Sequence, residues 1–354
     1  MSVTYLFLEE RSHRGSDADR TGSLILRCPI PAREGFQPLR KLWLALGARR
    51  VVASHRGSFD VVHINGDNGS LVAGLRKVPT LVTLHGSVHD SRLAVSKTVS
   101  SPIRRFTLAR MSIISRMLEN FAVRRASVVV AVSQQLATSV SQRLGRSDVA
   151  VIRNGVDPSV FQPTSEKEPL RRRLGLPPGV PLALWVGKRA YSKGLDIAIR
   201  AVESTSRWQL VVVGLEPTTS SRRVIGKGRV DTVTLTQIYA ACDVMLVTSR
   251  YEGFSVAVQE GMASGLPLVI RSTLSNAEVV TDGEGFLADR DEDFATILSR
   301  LEDDPARIRA AAKAARRGSI RLSADAMADR YASLMTTLVT REGSVARERG
   351  TPDT

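Results

Sequence analysis

The stretch DVMLVTSRYEGFSVAVQEGMASGLPLVIRS, residues 243–272, decides how this chain folds. Its first part, DVMLVTS, is a short apolar run of the kind that makes a buried strand, and RYEGF turns the chain. A helix is expected from about Ser255, and PLVIRS reads as the next strand. Val256, Val258 and Met262 leave that helix apolar on more than one face, so it is buried. Yet the run carries two glutamates, Glu252 and Glu260. Buried carboxylates are costly unless something pairs with them, so each needs a partner, in the protein or in a ligand.

The same alternation extends in both directions. SVTYLFL, VVH at 61–63, TLVTLHG at 80–86, SVVVAVS at 127–133 and VAVIRNG at 149–155 read as strands, with helices at 38–47, 69–77, 103–125 and 134–144. A polar, proline-containing linker around 156–169 precedes a second series, PLALWVG, WQLVVVG, DVMLVTS and PLVIRS. Strand–helix alternation implies parallel sheets covered on both faces. The expected fold class is α/β, with two doubly wound Rossmann-like domains facing across a cleft. Their expected bounds are 1–160 and 161–323. A helix over 324–340 is expected to cross back to the first domain, and 341–354 to form a disordered tail. Ligands in such folds bind beyond the carboxyl ends of the strands.

Composition narrows the class. With 43% hydrophobic and 24% charged residues the 354-residue chain is of ordinary globular make-up. Cys28 and Cys242 lie far apart without metal-ligand spacing, so neither a zinc site nor a disulfide framework is expected. The start lacks the pattern of a signal peptide, and a cytoplasmic protein, peripheral on the inner membrane face, is the expectation. Residues 1–150 hold 22 Lys and Arg against 10 Asp and Glu, a net of +12, and the remainder nets only +3. That first half favours an anionic partner.

The turn at 250–254 places chemistry at a strand end. The first amides of the following helix, those of Ser255 and Val256, are expected to be free for a phosphate, because no acidic residue closes a capping box there. Glu260 lies roughly 7.5 Å along the helix from Ser255, and Glu252 reaches up to about 10 Å the other way. A retaining glycosidase needs its carboxylates about 5–5.5 Å apart. This wider layout instead suits an extended ligand with hydroxyls at both ends and a diphosphate between them, the shape of a nucleotide sugar.

The Glu-x7-Glu of SRYEGFS…EGMASGLP resembles the signature of glycosyltransferase family 4, retaining nucleotide-sugar enzymes of the GT-B fold. WVGKRAYSKGLDIAIRAV, VIRNGVDPSVFQP, TLHG and NAEVVTDGEGFLA resemble further family segments in order, covering roughly residues 60–340. The resemblance implies that Glu252 bonds the donor sugar's hydroxyls and Glu260 the ribose. It implies that backbone of Gly253, Phe254, Ser255 and Val256 meets the sugar and diphosphate, beside Gly187. It implies that Lys188 and Lys193 neutralise the departing diphosphate, with Arg189 the alternative to Lys188. The resemblance implies that His85 lies near the donor sugar and acceptor. No cofactor and no metal is implied. The implied donor is a UDP-, GDP- or ADP-sugar, and the implied acceptor a saccharide or lipid-linked hydroxyl.

The family's double glycine after the first strand is missing, and Gly15 is the candidate for its place. Gly261 replaces the usual alanine after the second glutamate, which suits close packing. DAD at 17–19 is read as a solvated loop rather than a metal site. Two rival functions remain: a GT-B enzyme of other chemistry, an epimerase or phosphorylase, and a basic nucleic-acid binder. Aromatics at 5% and the absence of a recognition motif leave nucleic acid outside the expected partners. The basic segment 103–125 is expected to touch anionic lipid electrostatically, its arginines being spread round the helix axis.

Overall fold

The computed structural model describes residues 4–10, 24–30, 37–55, 59–66, 69–75, 78–88, 102–188, 190–273, 275–281 and 283–348. The chain divides into two compact units: Met1–Ile152 with Tyr331–Thr354, and Arg153–Arg330.

In unit 1, Thr4–Glu10 (β1) and Leu24–Ile30 (β2) pair in parallel. Val62–Asn65 (β3), Thr80–Leu84 (β4), Val128–Ala131 (β5) and Val149–Val151 (β6) form a parallel sheet in that order. All five residues of β4 are buried, as a strand covered on both faces requires. The helices of this unit are Gln37–Ser54 (α1), Pro102–Arg125 (α2) and Gln134–Leu144 (α3). Helix α3 begins where Ser133 caps the amide of Leu136 at 3.1 Å and ends on left-handed Gly145.

Unit 2 contains Lys167–Arg173 (α4), Leu182–Val186 (β7), Leu195–Glu203 (α5), Gln209–Val213 (β8), Val224–Gly226 (β9) and Thr232–Ala241 (α6). There follow Val244–Val247 (β10), Val256–Ala263 (α7), Leu268–Arg271 (β11), Gly285–Ala288 (β12), Asp293–Asp303 (α8) and Pro305–Ile320 (α9). The last helix, Ala324–Glu348 (α10), starts in unit 2 and belongs to unit 1 from Tyr331 onward. Its continuation to Glu348 corrects the expectation that the tail begins at 341: TREGSVAR offers neither proline nor an adequate stop, and the helix runs through it.

The six-stranded parallel sheet of unit 2 runs β12-β11-β10-β7-β8-β9. Its chain order therefore reverses between β7 and β10, and such a switch point leaves a crevice at the strands' carboxyl ends. The two loops that open there are Gly187–Gly194 after β7 and Thr248–Ser255 after β10. At the other end of the same strands, Arg171, 4% exposed, donates to Asp243 Oδ2 at 2.7 Å and to the carbonyl of Ala241 at 2.9 Å. The same Oδ2 accepts from the Leu182 amide at 2.9 Å, so this buried pair fixes β7 beside β10. Trp185, Trp208 and Phe294 fill the layer between sheet and helices, each worth about 1.5–3 kcal/mol on burial. Cys242 is buried, and burial pushes its thiol up to about 12.

Three strands escape the sequence pattern. β9 and β12 are three or four residues long and half exposed, and β2 carries Arg27 and Pro29. The helix expected over 69–77 is only a 3-10 turn, Ser70–Gly74, after which Leu75 is extended. Pro79 follows closely and disfavours helix in the residue before it. Among the described residues no helix is long and apolar enough to cross a membrane.

The approach of the two switch-point loops depends on Gly194. Its φ is +67°, and a Cβ there would sit 2.1 Å from the Thr248 carbonyl oxygen. Gly194→Ala is expected to destabilise unit 2 by about 2–3 kcal/mol, read as a lowered denaturant midpoint. An unchanged midpoint would show that the close approach is dispensable.

Candidate active site

The loop after β10 is held by side chains from three directions. Arg250 donates its amide to the Ser192 carbonyl at 2.9 Å, and its guanidinium grips Asp196 at 2.9 and 2.7 Å while lying 4.2 Å from the Tyr191 ring centre. Thr248 Oγ1 is 3.1 and 2.8 Å from the carbonyls of Lys193 and Gly194. Trp185 Nε1 donates to the Lys193 carbonyl at 3.1 Å. These bonds fix the backbone of Lys193 beside the turn.

The partner of Glu252 is thereby settled. Lys193 Nζ donates to Glu252 Oε1, and Ser249 Oγ donates to the same oxygen at 2.9 Å. The carboxylate side chain is 10% exposed and the lysine 29%, so the pair is largely desolvated. Glu260, on α7, meets a different partner. The fully buried Tyr239 donates its hydroxyl to Glu260 Oε2 at 2.8 Å. Burial raises the Glu260 pKa, and the Tyr239 bond only partly opposes that. The phenol is itself pushed well above its ordinary range, by burial first and then by the neighbouring carboxylate.

The helix start departs from expectation in one respect. Ser255 is the N-cap of α7, but its amide is taken: it donates to Asn276 Oδ1 at 2.8 Å. The cap is thus supplied from a distant turn, Ser275–Val279, because Ser255's own side chain makes no cap bond. Val256 and Ala257 begin the helix with no carbonyl one turn back inside it. Asn154 donates to the Phe254 carbonyl at 3.0 Å, and Ser275 Oγ to that of Glu252 at 3.3 Å. Asn154, Asn276 and Tyr239 are the supports that reading the sequence missed. Both asparagines lie inside the quoted segments VIRNGVDP and NAEVV, which was the available signal.

Gly253 is half-buried and Phe254 buried, while Val256 is exposed. Gly261 is explained by packing, since a Cβ there would lie 2.7 Å from Met245 Sδ on β10. Gln259 is fully buried, and among the described residues neither of its amide atoms finds a hydrogen-bond partner, a cost of about 1–3 kcal/mol. Gly187 is buried and Lys188 exposed after β7; Arg189 and Gly15 lie outside the described residues.

His85 belongs to unit 1, just past β4, where Nε2 bonds Asn65 Oδ1. Nearby, His63 Nε2 lies 2.8 Å from Thr83 Oγ1, which is 2.9 Å from the Tyr331 hydroxyl. Desolvation lowers the pKa of both histidines, and for His63 the proximity of His85 adds to it. His63 and Tyr331 were not singled out in the sequence. Among the described residues no three His, Cys, Asp or Glu side chains converge as a metal site needs.

Comparison with known proteins gives concordant matches. Residues 166–318 match the family described as Glycosyl transferases group 1, and residues 5–160 match Glycosyltransferase Family 4. D-inositol 3-phosphate glycosyltransferase of Xylanimonas cellulosilytica is 30% identical over 88% of this chain and 82% of its own length. Among solved structures, sucrose-phosphate synthase of Thermosynechococcus elongatus superposes with a TM-score of 0.77 at 20% identity, over 95% of this chain and 89% of that one. The Anabaena protein Alr3699/HepE, in complex with UDP-glucose, gives 0.68 at 21% identity, over 89% and 86%.

Because burial favours the protonated form of Glu260, its carboxylate opposes folding at neutral pH and ceases to do so once protonated. Glu260→Gln, which keeps an acceptor for Tyr239, is expected to raise the Tm at pH 7. The gain should shrink as the pH falls toward about 4, near the ordinary range of a glutamate. An equal Tm for variant and wild type at both pH values would contradict the reading of a desolvated carboxylate.

Proposed function

We propose a specific reaction for a chain that belongs to glycosyltransferase family 4. It is a glycosyltransferase of GT-B fold. In our reading it moves a hexose from a nucleotide diphosphate sugar to a hydroxyl of a saccharide or lipid-linked acceptor, with anomeric configuration kept, in cell-envelope glycan or glycolipid synthesis. The observation that carries this is the pair of desolvated acids, Glu252 and Glu260, flanking the start of α7 at the sheet's switch point.

Each acid lacks something a nucleotide sugar supplies. Glu260 has a phenol as its hydrogen-bond donor, and a ribose diol adds two more. Glu252 shares Oε1 between Lys193 and Ser249, and a sugar hydroxyl can donate to its other oxygen. Lys193, with Lys188 and the first amides of α7, would take up the negative charge that grows on the departing diphosphate. That assignment replaces a divalent metal. No carboxylate serves as nucleophile here, so departure and attack occur on one face of the sugar. His85 is assigned to the acceptor side.

The first donor to test is a UDP-sugar, because the Anabaena neighbour is in complex with UDP-glucose. A second acceptor class, a phosphorylated cyclitol, is favoured by the +12 of residues 1–150 and by the name of the 30% relative. A cytoplasmic enzyme at the inner membrane face, touching anionic lipid through residues 103–125, completes the reading. It is supported by the charge of that segment.

A thermal-shift screen against UDP, GDP, ADP and their sugars identifies the donor, and turnover is then measured with EDTA present. Glu252→Ala and Lys193→Ala are each expected to lower turnover at least tenfold. Lys193→Ala also lowers the Tm by stranding Glu252. The double variant Lys193→Met/Glu252→Gln should recover the Tm and stay inactive. Wild-type rates in either single variant, or abolition of wild-type turnover by EDTA, would defeat the assignment.

A further inference from the structure

A cavity of about 190 Å³ lies in unit 2, and its described lining includes no residue of either switch-point loop. Three arginines line it, Arg153, Arg321 and Arg330, with one carboxylate, Glu278. Arg153 and Arg330 are the first and last residues of the unit. Backbone pairing brings these two stretches together. The Val156 amide donates to the Leu322 carbonyl at 3.1 Å, and the Ala324 amide to that of Val156 at 3.0 Å. The join is tight, since a Cβ on Gly155 would lie 2.3 Å from the Ser323 carbonyl oxygen. A fixed backbone frame therefore gathers the arginines around one space.

Their charges are unequally matched. Arg153 donates to Glu278 Oε2 at 3.0 Å, and Arg321 pairs with Glu284, whose side chain is 1% exposed. Arg330 forms neither a hydrogen bond nor an ion pair among the described residues. The cavity thus keeps an excess of positive charge, which favours an anion. That charge is carried on guanidinium forks, which fit phosphate oxygens two at a time. Leu322 and Met327 make part of the wall apolar.

We propose that this cavity binds a small phosphate monoester, at a second site separate from the donor site. A nucleotide is too large for it, since clefts for drug-sized ligands run to about 300–1,000 Å³. A carboxylate, with one charge, satisfies one fork, whereas a phosphate dianion accepts from several donors. Filling the cavity has a consequence for the loop after β10. Glu278 belongs to the turn Ser275–Val279, whose Asn276 caps the Ser255 amide. Arg153 precedes Asn154, which holds the Phe254 carbonyl. The phosphate draws Arg153 away from Glu278 and repels that carboxylate, so the ion pair tying the two asparagine supports together opens. Occupancy therefore loosens the start of α7. None of this depends on which ligand the switch point takes.

Calorimetry on the full chain with glycerol 3-phosphate tests the site. The ester should bind, inorganic phosphate should compete with it, and glycerol should do neither. Arg330→Gln should weaken binding at least fivefold with the Tm of the free protein unchanged. Glu278→Gln, which removes the repelling charge, should tighten it at least threefold. Lys193→Ala, at the switch point, should leave it as in the wild type. Hydrogen exchange of the Ser255 amide should quicken when the ester is present. Absence of binding, full affinity in Arg330→Gln or weaker binding in Glu278→Gln would overturn the proposal. So would loss of binding in Lys193→Ala, which would put the phosphate at the donor's diphosphate position, or exchange at Ser255 unmoved by saturating ester. Failure of the donor reading is separate: every nucleotide would then leave the Tm unmoved while glycerol 3-phosphate still bound.

Discussion

A carboxylate taken out of water needs a cation or several donors, and this requirement organises the switch point of unit 2. Glu252 is met by Lys193 and Ser249, and the meeting depends on two loops being held within van der Waals reach. Thr248 and Trp185 hold the backbone of Lys193, Arg250 clamps the turn onto Asp196, and Gly194 lets the loops touch. At the far end of the same strands the Arg171–Asp243 pair sets the register from which both loops start. The sheet order places the loops side by side, and the ion pair joins them.

The two acids are stabilised differently, and the roles proposed for them build on that difference. Glu252 is already matched with a full positive charge. An arriving diphosphate would compete for Lys193, and a sugar hydroxyl would have to compensate the carboxylate. Glu260 is matched only by the neutral Tyr239 and sits with its pKa raised. Hydrogen-bond donors from a ligand would relieve a cost that the free protein carries, and ligand binding would then stabilise the fold. A site of this kind trades stability for function.

Much of this was legible in the sequence, because it is local. DVMLVTS, the turn and the apolar helix lie in one run, so β10, the start of α7 at Ser255 and the position of Glu260 all follow from periodicity. The replacement of alanine by Gly261 pointed to close packing, and Met245 is what it packs on. What the sequence did not disclose acts over distance. Asn276 caps α7 from 21 residues away and Asn154 holds Phe254 from 100, and no spacing rule connects such pairs. For the same reason Ser255's amide was expected to be free. The short half-exposed strands β9 and β12 carry no apolar run to detect. The exposed Trp43 and Met117 look like core residues until burial shows them on the surface.

The division of labour between the acids is open to one direct measurement. Calorimetric titration should compare a nucleoside diphosphate with its sugar-bearing form, on wild type, Glu252→Gln and Glu260→Gln. If the acids grip opposite ends of the donor, Glu260→Gln weakens both ligands alike, whereas Glu252→Gln weakens only the one that carries the sugar. Equal losses for both ligands in both variants, or none in either, would contradict the account.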